Sequence, residues 1–295
     1  MVNSFILLNT VTGETLDMLD TSKEYNLTEF TWGSIGSSRK TYKFIGQIGV
    51  HLTNTNLETR DFSLIGHVVA HSEEEMARRK RYLNAFLTPQ EPMEIQYLQK
   101  YKLTGYPMST VKYGNDYVEN NDVICKYMIS FYCPDPLWYE LSDTDEIIAQ
   151  WEPKFHFPLI IPQDKGIIMG LRTPSRIKFI PNDGDVPVGL VITFSATGSV
   201  VNPSVTKIET QEIIVFNYTL QAGESLVVST LTNDKTVRKQ TSTTDVNAFN
   251  LLDFVNTTFF NLDIGGDHIQ YDAVSGIDNL SVSIKKNVAR LEVQE

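Results

Sequence analysis

The run Val191-Ile192-Thr193-Phe194-Ser195-Ala196, broken at Gly198 and followed by Asn202-Pro203, sets the pattern for everything between Ile180 and Lys286. The stretch opens on a turn cluster, Asn182-Asp183-Gly184-Asp185. Two more strand-like runs, Glu212 to Asn217 and Ser225 to Ser229, lie around Ala222-Gly223. Thr258-Phe259-Phe260-Asn261-Leu262 comes next, then Gly265-Gly266, His268-Ile269-Gln270-Tyr271 and Leu280-Ser281-Val282-Ser283-Ile284. Short β-branched runs punctuated by Gly, Asn, Asp and Pro read as an all-β sandwich or barrel. No nucleophile, general base or metal cluster recurs inside the stretch. It therefore reads as a packed module that presents surface, not a reaction site.

Outward from that module, the 295 residues suffice for two domains of ordinary size. A domain of half that length buries roughly two thirds of the surface its unfolded chain exposes, so neither half needs a disulfide or a metal. The boundary falls near Glu140, just past Cys133-Pro134-Asp135-Pro136-Leu137-Trp138, where two prolines in three residues end a strand. This predicts domains 1–140 and 141–295. The net charge of -11 is spread over both halves and argues against wrapping nucleic acid. Cys125 and Cys133 match no zinc spacing and read as reduced, partly buried thiols, with a disulfide as the lesser alternative. The N-terminus reads as lacking a secretory signal, and no apolar run has the length of a bilayer span, so no membrane insertion is expected.

In the first half, Thr31 to Lys40 is rich in Gly and Ser and reads as an exposed loop, with Arg39 and Lys40 in solvent. Phe44 to Leu52 and Thr59 to Val69 read as strands. In the second of these, Arg60, Phe62, Leu64 and Gly66 share one face, and Asp61, Ser63, Ile65 and His67 the other. The spacing predicts one helix, about residues 72–87. Ser72 is its N-cap, Glu75 completes a capping box, and Pro89 ends it. Met76, Leu83, Phe86 and Leu87 form its apolar stripe, so the helix must pack on a sheet. Arg78-Arg79-Lys80-Arg81 sweep all sides of the helix and read as a solvated face, with Arg79 and Lys80 snorkelling beside the stripe. Met93 to Leu98, Tyr106 to Tyr113 and Val123 to Tyr132 read as further strands, with a turn region over Gln99 to Gly105. In the second half, Pro153 to Pro162 reads as an irregular edge strand or an extended crossing segment, Gly166 to Met169 as a short strand, and Phe249 to Val255 as a strand leading into the Asn256-Thr257-Thr258 turn.

Catalytic signatures are missing. The sequence has no phosphate loop, no paired histidines on a helix and no nucleophile elbow. His67 and His71 have no third ligand. Asp183 and Asp185 resemble the start of a calcium loop but lack its later ligands, and read as a turn. No cofactor and no enzymatic activity are expected. One other reading stays open: a carbohydrate-binding adhesion module in which the second domain grips sugar with Trp151, His268 and Tyr271.

Taken in order, these segments resemble the distal tail protein (Dit) family of siphophages, including phages and prophages of Gram-positive hosts. The likeness rests on Asn182-Asp183-Gly184-Asp185, on Phe194-Ser195-Ala196-Thr197-Gly198-Ser199-Val200-Val201-Asn202-Pro203, on Gly223-Glu224, and on Thr257-Thr258-Phe259-Phe260-Asn261-Leu262 ahead of Gly265-Gly266 and Tyr271. Arg60-Asp61-Phe62, the helix with Arg78-Arg79 and Leu83, and the strand ending at Trp138 add to it. The family commonly has Gly-Asn where Gly266-Asp267 stands here. The resemblance implies a mainly β protein. Its first domain is an α+β barrel-like, tail-tube-type domain with one helix, and its second is a galectin-like β-sandwich. It also implies a virion structural protein of the tail tip or baseplate, assembled in the host cytoplasm and acting in host adsorption. Its partners are then its own copies in a homohexameric ring, the tail-tube protein, the tail-tip (tail-associated) protein and a receptor-binding protein. DNA crosses the channel without being specifically bound. A closed ring needs a heterologous interface. The long strands Arg60–Val69 and Val123–Tyr132 are the candidates for continuing a sheet around it, with Arg60, Phe62, Arg78, Arg79, Val123, Tyr127 and Phe131 as interface residues.

Overall fold

The computed structural model describes residues 4–19, 24–142, 144–147, 151–153, 170–172, 176–232 and 234–293. Its contacts divide the chain into two units, Met1–Leu141 with Arg290–Glu295, and Ser142–Ala289. The structure is mainly β, with one α-helix among the described residues.

Unit 1 contains β1 (Phe5–Asn9), β2 (Thr15–Asp17), β3 (Tyr25–Thr31), β4 (Ser37–Tyr42), β5 (His51–Leu57), β6 (Arg60–Val69), α1 (Glu73–Phe86), β7 (Met93–Tyr97), β8 (Tyr101–Pro107), β9 (Lys112–Tyr113), β10 (Ile124–Cys133) and β11 (Trp138–Glu140). Its main sheet runs β2-β1-β7-β8-β10-β6-β3, with β9 on β10 and β11 on β8. In β6, Phe62, Leu64 and Val68 point inward at every second position, as the alternation predicts. Opposite them Tyr127, Ile129 and Phe131 of β10 do the same. Phe62 stacks on Phe131 at 5.1 Å, a cross-strand pair in register. The helix closes this core with Met76, Leu83 and Phe86. Each such buried side chain contributes about 1.5–3 kcal/mol. The Ser72 hydroxyl accepts the Glu75 N–H at 3.3 Å, while the Glu75 carboxylate reaches back to the His71 N–H at 2.8 Å.

Three sequence expectations change in this unit. The predicted edge strands are interior: β6 and β10 pair with each other along ten residues, and the sheet ends instead at β2 and β3. The strand expected over Tyr106 to Tyr113 lies mostly over Tyr101–Pro107. Gly105 hid it, because a Cβ there would sit 2.8 Å from Cys133 Sγ, so an inward position carries no apolar side chain to read. The turn before it, closed by the Lys100 N–H to the Tyr97 carbonyl, holds Leu98 and Gln99 at φ 55° and 53°, where Gly or Asn would signal a hairpin. Third, Phe44 to Leu52 is mostly not strand. It is the tip of the β4–β5 hairpin, and the predicted loop supplies β4. Cys125 and Cys133 are free and buried. Eight positions along one strand separate them by about 26 Å, too far to bridge. Burial pushes the Cys133 thiol up to about 12.

Unit 2 contains β12 (Thr144–Ile147), β13 (Trp151–Pro153), β14 (Gly170–Arg172), β15 (Ile177–Ile180), β16 (Leu190–Ala196), β17 (Val200–Lys207), β18 (Glu212–Val215), β19 (Thr219–Leu220), β20 (Ser225–Leu231), β21 (Asp234–Gln240), β22 (Asp245–Asn247), β23 (Asp267–Ser275) and β24 (Leu280–Lys286). One sheet runs β12-β24-β16-β20-β21-β22, another β15-β23-β17-β18. Phe194 of the first meets Phe216, just past β18 of the second, edge to face at 5.4 Å. Asn202-Pro203, which follows the break at Gly198, lies inside β17. It falls where the partner of β17 changes from β19 to β18, so the missing proline N–H interrupts no ladder. Thr258 to Leu262 forms only one bridge, Leu262 to Val188. Phe249–Leu251 is a 3-10 turn, not the start of a strand. The expected strand over Gly166 to Met169, and most of Pro153 to Pro162, lie outside the described residues. Asp183 and Asp185 sit in a turn built by Asn182, whose side chain accepts the Gly184 N–H at 3.1 Å and donates to the Val186 and Leu262 carbonyls.

The chain then returns to unit 1 through β25 (Ala289–Arg290). The return reaches further than the sequence shows. Arg60 is fully buried, and its guanidinium meets the Glu292 carboxylate at 3.2 Å and the Leu291 carbonyl. Val293 joins the unit 1 core.

Candidate assembly surface

The chemistry that stands out lies on the surface. β4 and β5 pair over six positions with every side chain exposed. Their connection carries a dense apolar cap. Ile45 and Ile48 are fully exposed, and Phe44, Val50, Tyr42 and Leu52 more than half so or close to it. The cap has a defined shape. Gln47 closes the turn through its N–H to the Phe44 carbonyl and accepts the Phe44 N–H with its side chain, both at 3.2 Å. Gly46 and Gly49 take φ values of 81° and 83° that other residues rarely adopt. Tyr42 stacks on His51 at 5.0 Å and meets Phe44 edge-on at 5.3 Å. Between Gly33 and Leu57 the only charged side chains are Arg39, Lys40 and Lys43.

A second surface lies along α1. Two open concavities meet at Arg78 and Tyr82, one running toward Ser72–Glu75, the other lined by Leu16, Glu24 and Tyr25. Tyr82, 41% exposed, stacks on Tyr25 at 6.0 Å and on Phe86 at 6.2 Å, which gives the groove an aromatic floor. Burial, with Tyr82 and Glu24 nearby, pushes the Tyr25 hydroxyl up to about 12. The His71 N–H, with Arg79 and Arg78, holds the Glu75 carboxyl below its usual value. Arg79 is committed inside the unit, to Glu75 at 2.7 Å, to Glu24 at 3.5 Å and to the Val69 carbonyl. Glu73 and Glu74 stay exposed.

The expected interface residues separate sharply. Phe62, Tyr127 and Phe131 are core, Arg60 is buried under the C-terminal segment, and the Arg79 side chain is only 15% exposed. Arg78 at 76% and Val123 at 58% are presented to solvent. The residues that do form an apolar surface, Phe44, Ile45 and Ile48, carried a readable sign: two glycines inside an apolar run that fails to alternate. Two of the three expected sugar-binding residues have described side chains. His268 is exposed, with Nδ1 at 2.8 Å from Glu209 and its ring 5.1 Å from Phe179, but Tyr271 is 2% exposed and faces the core. The side chain of Trp151 lies outside the described residues. Among the described residues no group of three His, Cys, Asp or Glu side chains is placed to hold a metal ion. No described helix is long and apolar enough to cross a membrane.

A β-rich chain in two units, with a projecting hairpin and no assembled reaction centre among its described residues, fits the class of structural assembly proteins. Two family models match it in order: the phage tail protein RIFT-related domain over residues 18–147, and the siphovirus-type tail component, C-terminal domain, over residues 183–285. The chain belongs to the Dit family of siphophage tail proteins, structural components of the virion tail tip and baseplate that link it to the tail tube. Solved structures share the fold along the whole length. The Dit protein of phage SPP1, described as a paradigm of the hub adsorption apparatus in phages infecting Gram-positive bacteria, matches with TM-score 0.67 and 14% identity, covering 97% of this chain and 98% of that one. A chain of the phage p2 baseplate in its activated conformation with Ca matches with TM-score 0.56 and 14% identity, over 99% of this chain and 100% of that one. The same baseplate with Sr gives TM-score 0.56 and 14% identity over 98% and 99%. No curated protein sequence matches the chain.

Proposed function

We propose that six copies of this chain close into a ring between the tail tube and the tail-tip proteins. Unit 1, as a barrel-like tube-type domain, builds the ring. Unit 2, as a galectin-like sandwich, is the platform to which adsorption proteins attach. The observation that carries this reading is the pair of family models, one in each unit and in tail-protein order, together with a likeness that runs the full length of a hub protein and of a baseplate chain. The net charge of -11 suits a channel through which DNA passes without sticking.

Light scattering over a concentration series, with negative-stain images of the largest species, tests the reading. A particle of six subunits with a central hole is expected. A chain that stays monomeric at every concentration, and also when mixed with its own tail-tube and tail-tip proteins, would sink it.

A further inference from the structure

Arg60 poses a physical problem that the N-terminal part of unit 1 does not solve by itself. Its guanidinium is fully buried at the start of β6, and its Nε has no hydrogen-bond partner. The partners it does have, the Leu291 carbonyl and the Glu292 carboxylate, lie 231 and 232 positions further along the chain. A buried cation without partners is strongly unfavourable. The start of β6 is therefore incomplete until residues 290–293 are seated, with Val293 in the unit 1 core.

The chain delivers that segment by a short route. In unit 1, Glu140 and Arg290 form an ion pair at 3.2 Å. In unit 2, Thr144 and Lys286 are register partners. Only residues 141–143 and 287–289 connect these two pairs, and the Asp185 N–H holds the Ala289 carbonyl at 3.0 Å. With unit 2 folded, the loop that must close to bring Arg290 to Glu140 is therefore at most about six residues. With unit 2 unfolded, it is the whole stretch 141–289, about 150 residues. Closure probability falls as about the 3/2 power of loop length, so roughly a hundredfold separates the two cases. We infer that residues 290–293 are a strap that seats firmly only when unit 2 is folded, so that a sealed β6 start marks a chain in which both units are complete. A chain whose second unit is unfinished leaves Arg60 without its carboxylate and the β6–β10 ladder open at that end. This folding checkpoint goes beyond the ring reading and does not depend on it.

The chain carries its own reporter. Cys133 is the register partner of Arg60, so the two side chains share a face at the end that the strap seals, while Cys125 pairs with Val68 far along the same ladder. Both thiols are free and buried. Labelling of the full chain by a small maleimide, with the two cysteines followed separately by peptide mass mapping, reads the opening of each end. Val282→Asp puts an unpaired charge into the core of unit 2 and is expected to unfold that unit. Cys133 is then expected to label roughly a hundredfold faster, with Cys125 unchanged. A second variant leaves every core residue in place. A Gly-Ser insertion of about 24 residues after Leu141, ahead of the exposed Ser142, lengthens the connection while unit 2 stays folded, and is expected to speed Cys133 labelling about tenfold. An unchanged Cys133 rate in the insertion variant overturns the inference, because the strap is then held without the short delivery. An equal rise at Cys125 in that variant also overturns it, because the whole of unit 1 is then opening. If Val282→Asp exposes both cysteines, the insertion variant alone decides the case.

Discussion

Two antiparallel strand pairs in unit 1 answer opposite demands. β6 and β10 pair over ten residues and alternate strictly, one side chain in the core and the next toward solvent. β4 and β5 pair over six, with the same backbone bonding, and bury nothing. Backbone hydrogen bonds alone contribute little net stability, because water satisfies the same groups in the unfolded chain. The first pair is held by its side chains. The second forms an arm that leaves its side chains in solvent.

The sharpest way to break this comparison is one truncation in each pair, measured by urea unfolding at concentrations where the protein is monomeric. Phe131→Ala in β10 is expected to cost about 3–5 kcal/mol, since Phe131 is fully buried and stacked on Phe62. Leu52→Ala in β5 is expected to stay within about 0.5 kcal/mol, the range for surface changes. If Leu52→Ala costs as much as Phe131→Ala, the arm packs on its own subunit and the contrast is wrong.

The C-terminal return extends the argument from apolar groups to charge. Removing residues 291–295 strips the Leu291 carbonyl and the Glu292 carboxylate from Arg60, whose side chain is fully buried. A buried cation left without partners costs about 3–5 kcal/mol. The same truncation in an Arg60→Met background is expected to recover most of that loss, because an apolar side chain of similar length leaves no charge to satisfy. Unfolding curves of the three proteins decide it. Equal loss in both truncated forms would assign the effect to Val293 packing instead.

What could be read from the sequence follows the same division. β6, β10 and α1 were legible because periods of 2 and 3.6 residues report burial directly, and in all three burial holds the element in place. β8 was displaced in the reading because Gly105 erases one inward position. The Arg60 clasp was invisible because its partner lies 232 positions away and nothing local marks the pair. The arm was misread for a deeper reason. An apolar run announces that something will cover it, without saying whether the cover is the same chain. Phe44 to Leu52 therefore reads as a strand. The buried interface candidates failed in the reverse direction: Phe62, Tyr127 and Phe131 were assigned to a partner when the subunit's own core already uses them.

Smaller effects sharpen the contrast further. Ser72→Ala removes the hydroxyl that accepts the Glu75 N–H and is expected to cost about 1 kcal/mol. A thermal shift in the monomer measures it. Because α1 forms one wall of the groove, the same variant is expected to loosen ring assembly by no more than its effect on folding. A larger loss of assembly would mean that the helix start itself touches the partner.

The last test uses acid. The arm contains no carboxylate, so stability that depends on a carboxylate must come from elsewhere in the chain, and unit 2 offers a source. Burial alone would raise the Glu224 carboxyl. The Gln221 N–H at 3.0 Å, the Tyr218 hydroxyl at 2.9 Å and the Lys239 ammonium at 3.2 Å outweigh that and hold it below 4.5. A carboxyl depressed in the folded state adds stability that is fully present above its unfolded value, near 4.5, and is lost as pH falls through the lower folded value. Unfolding free energy measured from pH 6 down to about pH 3 is therefore expected to fall below pH 4.5, and Glu224→Gln is expected to flatten that fall. Lys43→Gln in the arm is expected to leave the curve unchanged, because Lys43 is exposed on a hairpin whose strands bury none of their side chains. A change in the acid limb from the arm variant would show that the arm's charges are engaged within the monomer, which the exposure of every side chain in β4 and β5 argues against.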